Sequence, residues 1–382
     1  MKYNLADICE YAKGKVDVAI LDEETYISTE NMMPNKGGIT SASSLPTIAQ
    51  TQAFLAGDVL VSNIRPYFKK IWFAEFNGGC SNDVLVLRAK DGVSKRFLYY
   101  VLADDTFFDY SMATSKGTKM PRGDKAAIMK YVVPDFTFEE QEKIAGILEV
   151  LDRKIQLNTE INENLEQQAA AYFHYQFIAN ADPSWKEGAI SDLGTVVGGS
   201  TPSKSKPEYY TDNGIAWITP KDLSVDKSKF ISHGADDITE LGLKNSSASI
   251  MPAGTVLFSS RAPIGYIAIA DGEVTTNQGF KSVVPNSNVG TAFVYFFLKN
   301  ALPTIENMAS GSTFKEISGS AMRTVPAIIP DDKSLQEFAD FCEPLFQQQR
   351  TLETENRYLT ALRDSLLPKL MSGELDVSDL EL

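Results

Sequence analysis

Residues 57–63 carry the sequence Gly57-Asp58-Val59-Leu60-Val61-Ser62-Asn63, and residues 254–260 repeat its pattern as Gly254-Thr255-Val256-Leu257-Phe258-Ser259-Ser260. In each copy a proline, Pro66 or Pro263, stands four residues after the first serine, so the offset between the copies is 197. Further pairs keep nearly the same offset: Ser81-Asn82-Asp83 with Thr276-Asn277-Gln278, Gly117-Thr118-Lys119 with Gly311-Ser312-Thr313, and Val133-Pro134 with Ile329-Pro330. A nearly constant offset indicates a diverged tandem duplication. The chain is therefore expected to contain two similar modules with two similar sites.

Charge is unevenly distributed along the chain, whose formal net charge is −14. Residues 1–134 contain 16 Lys+Arg and 15 Asp+Glu, and residues 183–330 contain 12 Lys+Arg and 13 Asp+Glu. Residues 135–182 contain 3 and 10, and residues 331–382 contain 5 and 12, so each of these shorter segments has a net charge of −7. Each module is thus nearly neutral and is followed by a short acidic segment. An acidic balance argues against a nucleic-acid partner, but here that objection applies to the short segments and not to the modules.

The 382 residues are enough for two or three domains of ordinary size. No run of 18 apolar residues is present, which argues against a transmembrane helix, and the N-terminus reaches Asp7 too early for a signal peptide. The cysteines Cys9, Cys80 and Cys342 are odd in number, far apart and without a CxxC pair. Such a set favours a cytoplasmic protein with free thiols.

Each acidic segment has a stripe of residues spaced by four and three positions, which is typical of a helix that buries a narrow face against a partner helix. In the segment 135–182 the stripe comprises Ile144, Leu148, Leu151, Ile155, Asn158, Asn162, Leu165, Ala169 and Tyr172. In the segment 331–382 it comprises Phe338, Phe341, Leu345, Gln348, Leu352, Glu355, Leu359, Leu362 and Leu366. Both stripes include polar residues, and buried polar positions of this kind fix register at a cost in stability.

The two stripes are expected to face each other, because one chain supplies both and a short link joins Tyr172 to the next module. The predicted arrangement is an antiparallel coiled coil, in which a helix of about 35 residues would span roughly 50 Å. Pro344 lacks an N–H group and clashes with the preceding turn, so we expect a short helix before it and a long one after it. The alternative is that each helix packs as a surface helix on its own module.

The modules are expected to be rich in short strands, since β-branched and apolar runs alternate with turn residues. The predicted strands are 59–62, 71–74 and 84–87 in the first module and 215–218, 256–258 and 266–270 in the second. Gly78-Gly79, Gly198-Gly199 and Asp271-Gly272 are predicted turns, and helices are predicted at 95–102 and 292–300. The fold class is therefore α+β, with two similar mixed modules joined by two long helices.

No pattern of residues indicates catalysis. His174 and His233 are the two histidines, and neither has a cysteine or histidine at ligand spacing, so no metal site is predicted. The sequence contains no G-x-S-x-G motif, no G-x-x-x-x-G-K-[ST] motif and no G-x-G-x-x-G motif after a strand. It also offers no loop suited to a methyltransferase cofactor. We expect a chain without catalytic residues and without a cofactor of its own.

The remaining candidate for function is a polar cluster that occurs in both modules. Arginine can pair with guanine and asparagine with adenine, whereas lysine and serine suit phosphate oxygens. In the first module the predicted DNA contacts are Ser62, Asn63, Arg65, Tyr67, Lys69, Lys70, Lys116, Thr118, Lys119 and Arg122. In the second module they are Ser259, Ser260, Arg261, Tyr266, Ser312, Thr313 and Lys315. The plain alternative is a solvated hairpin or turn, and recurrence at the same places in both modules favours binding.

The order of these features resembles the specificity (S) subunit of type I restriction-modification enzymes, over nearly the whole chain. The matching features within the modules are residues 57–62 with Asn82-Asp83, residues 254–259 with Asn277-Gln278, and Gly311-Ser312-Thr313-Phe314. A helix led by a proline follows each module, with Pro134, Glu140-Gln141 and Ile144 in the first copy and Pro330, Leu335-Gln336 and Phe338 in the second. The closing stretch, residues 366–375, is also similar to the family.

This resemblance implies two target recognition domains, 1–134 and 183–330, and two conserved helical regions, the central 135–182 and the distal 331–382. Each domain would read one half of a bipartite site in double-stranded DNA, and the coiled coil would set their spacing. Two methyltransferase (M) subunits, which would bring S-adenosylmethionine, would dock on the chain, and restriction (R) subunits would complete the enzyme. The differences between Arg65 and Ala262, and between Lys119 and Thr313, would then carry the two half-site specificities.

Two other classes of protein stay open on the residues alone. A tandem coiled-coil scaffold that binds protein but not DNA would explain the paired helices and the acidity, but not the recurrent polar clusters. An enzyme with a fused methyltransferase activity would need a cofactor motif that the sequence lacks. Because the modules have almost no basic surplus, the isolated chain is expected to bind DNA weakly without its partner subunits.

Overall fold

The computed structural model describes residues 2–311 and 315–378. The chain divides into two compact units: unit 1 comprises Met1–Gln156 and Arg357–Leu382, and unit 2 comprises Leu157–Asn356. Two long helices, Phe138–His174 and Asp332–Ser372, each contribute residues to both units. These two helices lie within the segments predicted to be helical, and the four-part division of the chain stays a prediction.

Unit 1 contains the first module, which is rich in short strands. One four-stranded sheet has the order Cys9–Tyr11, Val84–Ala89, Val59–Ser62 and Ile71–Phe73, and another has the order Lys15–Asp17, Gln50–Phe54, Gly78–Cys80 and Tyr26–Ile27. The strands Lys2–Asn4 and Val132–Pro134 pair antiparallel and close the module. Its helices are Leu5–Ile8, Lys95–Ala103, Asp105–Ala113 and Lys125–Ile128, with 3₁₀ turns at Val18–Ile20 and Pro66–Phe68.

Unit 2 contains the second module, which follows the same plan. A five-stranded sheet has the order Gly194–Gly198, Lys281–Pro285, Val256–Ser260, Ile264–Ala270 and Phe230–Ile231, and a four-stranded sheet has the order Tyr210–Thr211, Asp236–Ile238, Ile215–Ile218 and Thr275–Thr276. The strands Lys186–Ala189 and Pro326–Ile329 close the module. Its helices are Ile190–Leu193, Pro220–Val225, Glu240–Lys244, Thr291–Met308 and Gly319–Arg323, with a 3₁₀ turn at Pro207–Tyr209 and a π-helical turn at Tyr175–Ala179.

The predicted strands and module helices are confirmed, whereas the predicted turn at Gly78-Gly79 is wrong. These two glycines begin the buried strand Gly78–Cys80. A Cβ atom at Gly78 would collide with the backbone oxygen of Thr25, and one at Gly79 would collide with the Leu21 side chain. Glycine therefore serves close packing between neighbouring segments here, which a sequence pattern does not distinguish from a turn.

The two long helices contact each other within each unit, and in unit 2 they run antiparallel. In unit 1, Asp152 of the first helix accepts a hydrogen bond from Arg363 of the second at 2.8 Å. In unit 2, the Asn158 side chain donates to Glu355 at 2.8 Å, and the rings of Tyr172 and Phe341 lie 4.6 Å apart. Within unit 2, residues further along the first helix contact residues earlier in the second helix, which defines antiparallel pairing.

All nine positions predicted for the stripe of the first helix are buried or half-buried. In the second helix the predicted position Gln348 is wrong, because its side chain is exposed whereas the neighbouring Gln349 is 2% exposed. Gln349 donates to the backbone oxygen of Asn162 at 3.0 Å. The buried face is shifted here because the helix also packs on its own module, where Phe346 meets Phe230 with ring centroids 5.8 Å apart.

The predicted break at Pro344 is also wrong, because Asp332–Ser372 is one continuous helix. Pro344 and Asp340, the residue whose backbone oxygen loses its helical partner, both lie on the exposed side. Water can satisfy that oxygen, while Phe338, Cys342 and Phe346 anchor the opposite side in the core. Burial of apolar residues before and after Pro344 thus outweighs the free-energy cost of a proline within the helix.

A buried ionic cluster fastens the second module to both helices within unit 2. The Lys229 ammonium group, on the module, contacts the Glu166 carboxylate of the first helix and the Gln349 side-chain oxygen of the second, the latter at 2.6 Å. Glu166 also accepts from Lys299 at 2.6 Å and from the Tyr295 hydroxyl at 3.1 Å. A buried charge requires partners of this kind, so the cluster specifies how the module attaches to the helices.

Candidate nucleic-acid interface

The two polar clusters predicted for the first module lie side by side in the structure. Lys116 and Arg122 exchange two backbone hydrogen bonds, of 2.9 and 3.0 Å, and thereby close a hairpin. The backbone N–H of Arg65 donates to the Pro121 oxygen at 2.8 Å, which joins the neighbouring loop to this hairpin. We define residues 62–70 and 116–123 as loop junction 1.

The second module repeats this arrangement. Ser310 and Glu316 exchange backbone hydrogen bonds of 3.0 and 2.9 Å, and Ile317 donates to the Ser260 oxygen at 3.1 Å. We define residues 259–266, 310–311 and 315–317 as loop junction 2; the predicted contacts Ser312 and Thr313 lie outside the described residues. The bridge between Ile64 and Arg122 in the first module corresponds to the bridge between Arg261 and Glu316 in the second. The duplication seen in the sequence therefore includes the way in which the two clusters meet.

The two junctions share an unusual backbone conformation. Arg65 has a φ of 51°, and its counterpart Ala262 has a φ of 52°. A positive φ is uncommon for residues other than glycine and costs local strain. The two copies thus share a positive φ at this position, while the side chain and the segment that follows differ.

Most of the predicted contacts are at least partly accessible. They are Arg65, Tyr67, Lys69, Lys70, Lys116, Thr118, Lys119 and Arg122 in loop junction 1, and Arg261, Tyr266 and Lys315 in loop junction 2. The exposed rings of Tyr67 and Phe68 lie 4.6 Å apart. Accessible cations beside aromatic rings suit a nucleic-acid surface, and contact by each residue stays a prediction.

Four predicted contacts are corrected, because Ser62, Asn63, Ser259 and Ser260 are buried. The Ser62 hydroxyl donates to the Ile64 oxygen at 3.1 Å, and the Ser259 hydroxyl donates to the Pro263 oxygen at 2.8 Å. These side chains turn inward at the ends of the strands Val59–Ser62 and Val256–Ser260. They hold the loops in shape and present no surface to a ligand in this conformation.

Several lysines of loop junction 1 already have local partners. Lys116 lies 2.6 Å from Asp124, and this hydrogen bond raises the pKa of Lys116. Lys69 lies 2.8 Å from Asp105. The Lys70 ammonium group donates to the Thr29 backbone oxygen at 2.6 Å, and burial lowers its pKa. Exposed ion pairs are weak, so a phosphate can compete for Lys116 and Lys69, whereas the ammonium group of Lys70 is held by the Thr29 oxygen outside the junction.

The candidate set omitted residues from a third segment that adjoins each junction. Arg122 lies 3.1 Å from the Asp83 carboxylate in the first module. In the second module the Glu316 carboxylate lies 3.5 Å from Arg261 and 3.7 Å from Lys281. A signal for Asp83 was present in the sequence, because residues 81–83 belong to the repeat, whereas Lys281 lies beyond the repeated residues 276–278.

Two kinds of feature are absent from residues 2–311 and 315–378. No group of three or more His, Cys, Asp or Glu side chains there is arranged to hold a metal ion, and no helix there is long and apolar enough to cross a membrane.

Comparison with known proteins assigns both halves of the chain to one family model. The model described as type I restriction modification DNA specificity domain matches residues 1–167 and 183–360. The HindI specificity subunit of Haemophilus influenzae is 26% identical over 460 residues, an alignment covering 98% of this chain and 99% of that protein. The MjaIX specificity subunit of Methanocaldococcus jannaschii is 40% identical over 164 residues, covering 42% of this chain and 38% of that protein.

A solved structure has the same fold. The S subunit of a type I restriction-modification system from M. genitalium matches with a TM-score of 0.59 at 19% sequence identity. The match covers 97% of this chain and 96% of that one. The fold is therefore shared over nearly the entire length of the chain.

Proposed function

Because the chain belongs to the type I restriction-modification DNA specificity family, we propose that it is the non-catalytic subunit that gives a type I restriction-modification enzyme its DNA sequence specificity. The repetition of the loop junction supports this proposal most directly. Each module presents one junction with corresponding backbone bridges, a positive φ at the same position and different side chains. Two such surfaces in one chain suit a bipartite DNA site, in which each module reads one half.

The paired helices have a different role in this proposal. As an antiparallel coiled coil they set the distance between the two half-sites and provide the surface on which two methyltransferase subunits dock. The segments that contain them, 135–182 and 331–382, each carry a net charge of −7, so DNA phosphates would repel them. S-adenosylmethionine belongs to the methyltransferase subunits in this account and not to this chain, and restriction subunits complete the enzyme.

Replacing Lys119 with alanine is expected to weaken DNA binding by the assembled complex almost equally for all sequences, because a lysine suits a phosphate. This proposal differs from the expectation from the sequence, in which Lys119 contributes to half-site specificity. Lys119 is exposed in the hairpin of loop junction 1, and each lysine that neutralises a phosphate contributes about 0.9 to the slope of log affinity against log salt concentration. We expect the slope to fall by about one. Fluorescence anisotropy of the complex of this chain with its methyltransferase subunits, at a series of salt concentrations, measures it.

The matched control is Lys130→Ala, which removes an exposed lysine of the same module outside the junction. It is expected to leave the slope unchanged. If Lys119→Ala and Lys130→Ala give the same slope and the same methylation rate as the unaltered complex, the hairpin does not face DNA. That result would favour the rival scaffold, which binds protein and not DNA.

A further inference from the structure

Loop junction 1 holds an accessible arginine against a carboxylate. Arg122 lies 3.1 Å from the Asp83 carboxylate, and the two side chains are 53% and 36% exposed. The backbone of Arg122 is fixed by its two hydrogen bonds to Lys116 and by its bridge to Ile64. The guanidinium is thus attached to a rigid position and restrained on one side, while about half of the side chain remains accessible.

Loop junction 2 contains the same kind of pair, formed by different positions of the repeat. Arg261 lies 3.5 Å from the Glu316 carboxylate, and the two side chains are 38% and 39% exposed. Glu316 occupies the hairpin position that Arg122 occupies in the first module. In loop junction 2 the carboxylate therefore occupies the hairpin position, and the arginine lies in the neighbouring loop. Each junction nevertheless contains one arginine paired with one carboxylate.

We propose that Arg122 and Arg261 each read a guanine in the major groove of one half-site, and that Asp83 and Glu316 position them. This inference rests on the proposed function of the chain. A guanidinium offers a planar fork of donors that matches guanine O6 and N7 together. A carboxylate that holds one side of the fork limits its rotation, so less conformational freedom is lost when the base is bound.

The paired carboxylate favours a base over a phosphate as the ligand. A phosphate is negatively charged, so Asp83 beside Arg122 would repel it and cancel much of the attraction. Glu316 has the same effect beside Arg261, where Lys281, 3.7 Å from Glu316, offsets part of the repulsion. A guanine edge has no net charge and presents two acceptors, so the carboxylate costs it little. The lysines of the hairpin suit phosphates better, because a phosphate requires only a positive charge within reach.

The test compares Arg122→Lys and Arg261→Lys in the complex of this chain with its methyltransferase subunits. Lysine keeps the positive charge and loses the fork, and the loss of an exposed ion pair does little to the fold. Methylated positions are mapped across a genome, and methylation rates are measured on duplexes that vary one base pair at a time.

We expect a G·C pair in each half of the recognised motif. Arg122→Lys should lower discrimination for one such pair, in one half only, on the order of 10- to 100-fold. Arg261→Lys should do the same in the other half, so that each variant is the control of the other. Asp83→Asn and Glu316→Gln should weaken discrimination at the same base pairs as Arg122→Lys and Arg261→Lys respectively, and elsewhere leave the motif unchanged.

Three results would overturn this inference. One is a half-site without a specified G·C pair. Another is an unchanged motif in both arginine variants. The third is an equal loss of rate on all sequences, which would identify phosphate contacts and leave the proposed function intact. If the unaltered complex shows no defined motif, the proposed function fails, and this inference fails with it.

Discussion

Replacing Lys229 with alanine is expected to lower the free energy of unfolding of unit 2 by about 3–5 kcal/mol, the cost of removing one partner from a buried ion pair. The Lys229 side chain is 6% exposed and contacts the Glu166 carboxylate. Its ammonium group also lies 4.1 Å from the centre of the Phe346 ring. Without Lys229, the Glu166 carboxylate remains largely buried where the module meets the helices and lacks its most buried cationic partner.

The matched control is Lys299→Ala, because Lys299 pairs with the same carboxylate at 2.6 Å but is 44% exposed. An exposed pair is worth about 0–1 kcal/mol. Hydrogen exchange of peptides from residues 157–356 measures unit 2 separately from unit 1. Equal losses of protection in the two variants would show that burial of Lys229 does not decide its contribution.

Lowering the pH should weaken the contribution of the same ionic cluster to the stability of unit 2. Burial by itself would raise the pKa of Glu166, but the charges of Lys229 and Lys299 outweigh it and lower the pKa. A carboxyl group with a lowered pKa in the folded state stabilises the fold above its unfolded pKa, about 4.3. That contribution disappears as the pH falls through the lowered value. Unit 2 of the Lys229→Ala variant should therefore lose less stability on acidification than unit 2 of the unaltered chain.

Replacing Phe338 with alanine is expected to destabilise unit 2 by about 3–5 kcal/mol, because a large cavity would remain in a packed core. Phe338 is 0% exposed. Its ring centroid lies 5.8 Å from that of Phe173 on the first long helix, 5.3 Å from that of Phe177 in the π-helical turn that follows this helix, and 6.1 Å from that of Phe296 in the module. Phe338 therefore joins both helices and the second module in one aromatic cluster.

Phe341→Ala provides the comparison for Phe338→Ala. Both residues belong to the predicted stripe, but Phe341 is 39% exposed and packs on Tyr172 with ring centroids 4.6 Å apart. Its loss should cost about 1 kcal/mol, the typical effect of a point mutation. Hydrogen exchange of the same peptides distinguishes the two variants. A larger effect of Phe341→Ala than of Phe338→Ala would contradict the packing described here.

The sequence predicts the fold well where a pattern repeats. The duplication predicted two similar modules, and the spacing of apolar residues predicted two long helices that face each other. Predictions from local sequence preferences were wrong where tertiary packing determined the structure. Pro344 does not end its helix, since its lost hydrogen bond faces the exposed side. Gly78 lies in a strand, because only a residue without a side chain fits against the backbone of Thr25.

The candidate interface is predicted less completely, for reasons of side-chain direction and distance along the chain. The polar clusters were identified and do meet, but Ser62 and Ser259 are buried because every residue of the strands Val59–Ser62 and Val256–Ser260 is covered. Asp83 became relevant only once the fold placed it beside Arg122, which is 39 positions away in the sequence. Lys229 gave no signal either, since an isolated lysine in a sequence resembles any solvated surface residue.

One measurement tests the central claim that each module reads one half of a DNA site. The chain is expressed with its methyltransferase subunits in a host without other methylation, and methylated bases are mapped genome-wide for the unaltered chain and for chains in which one junction is altered. We expect a motif of two specified halves separated by unspecified base pairs, with alteration of loop junction 1 changing one half and alteration of loop junction 2 changing the other. Methylation without a defined motif, or a single motif that both alterations change alike, would contradict it.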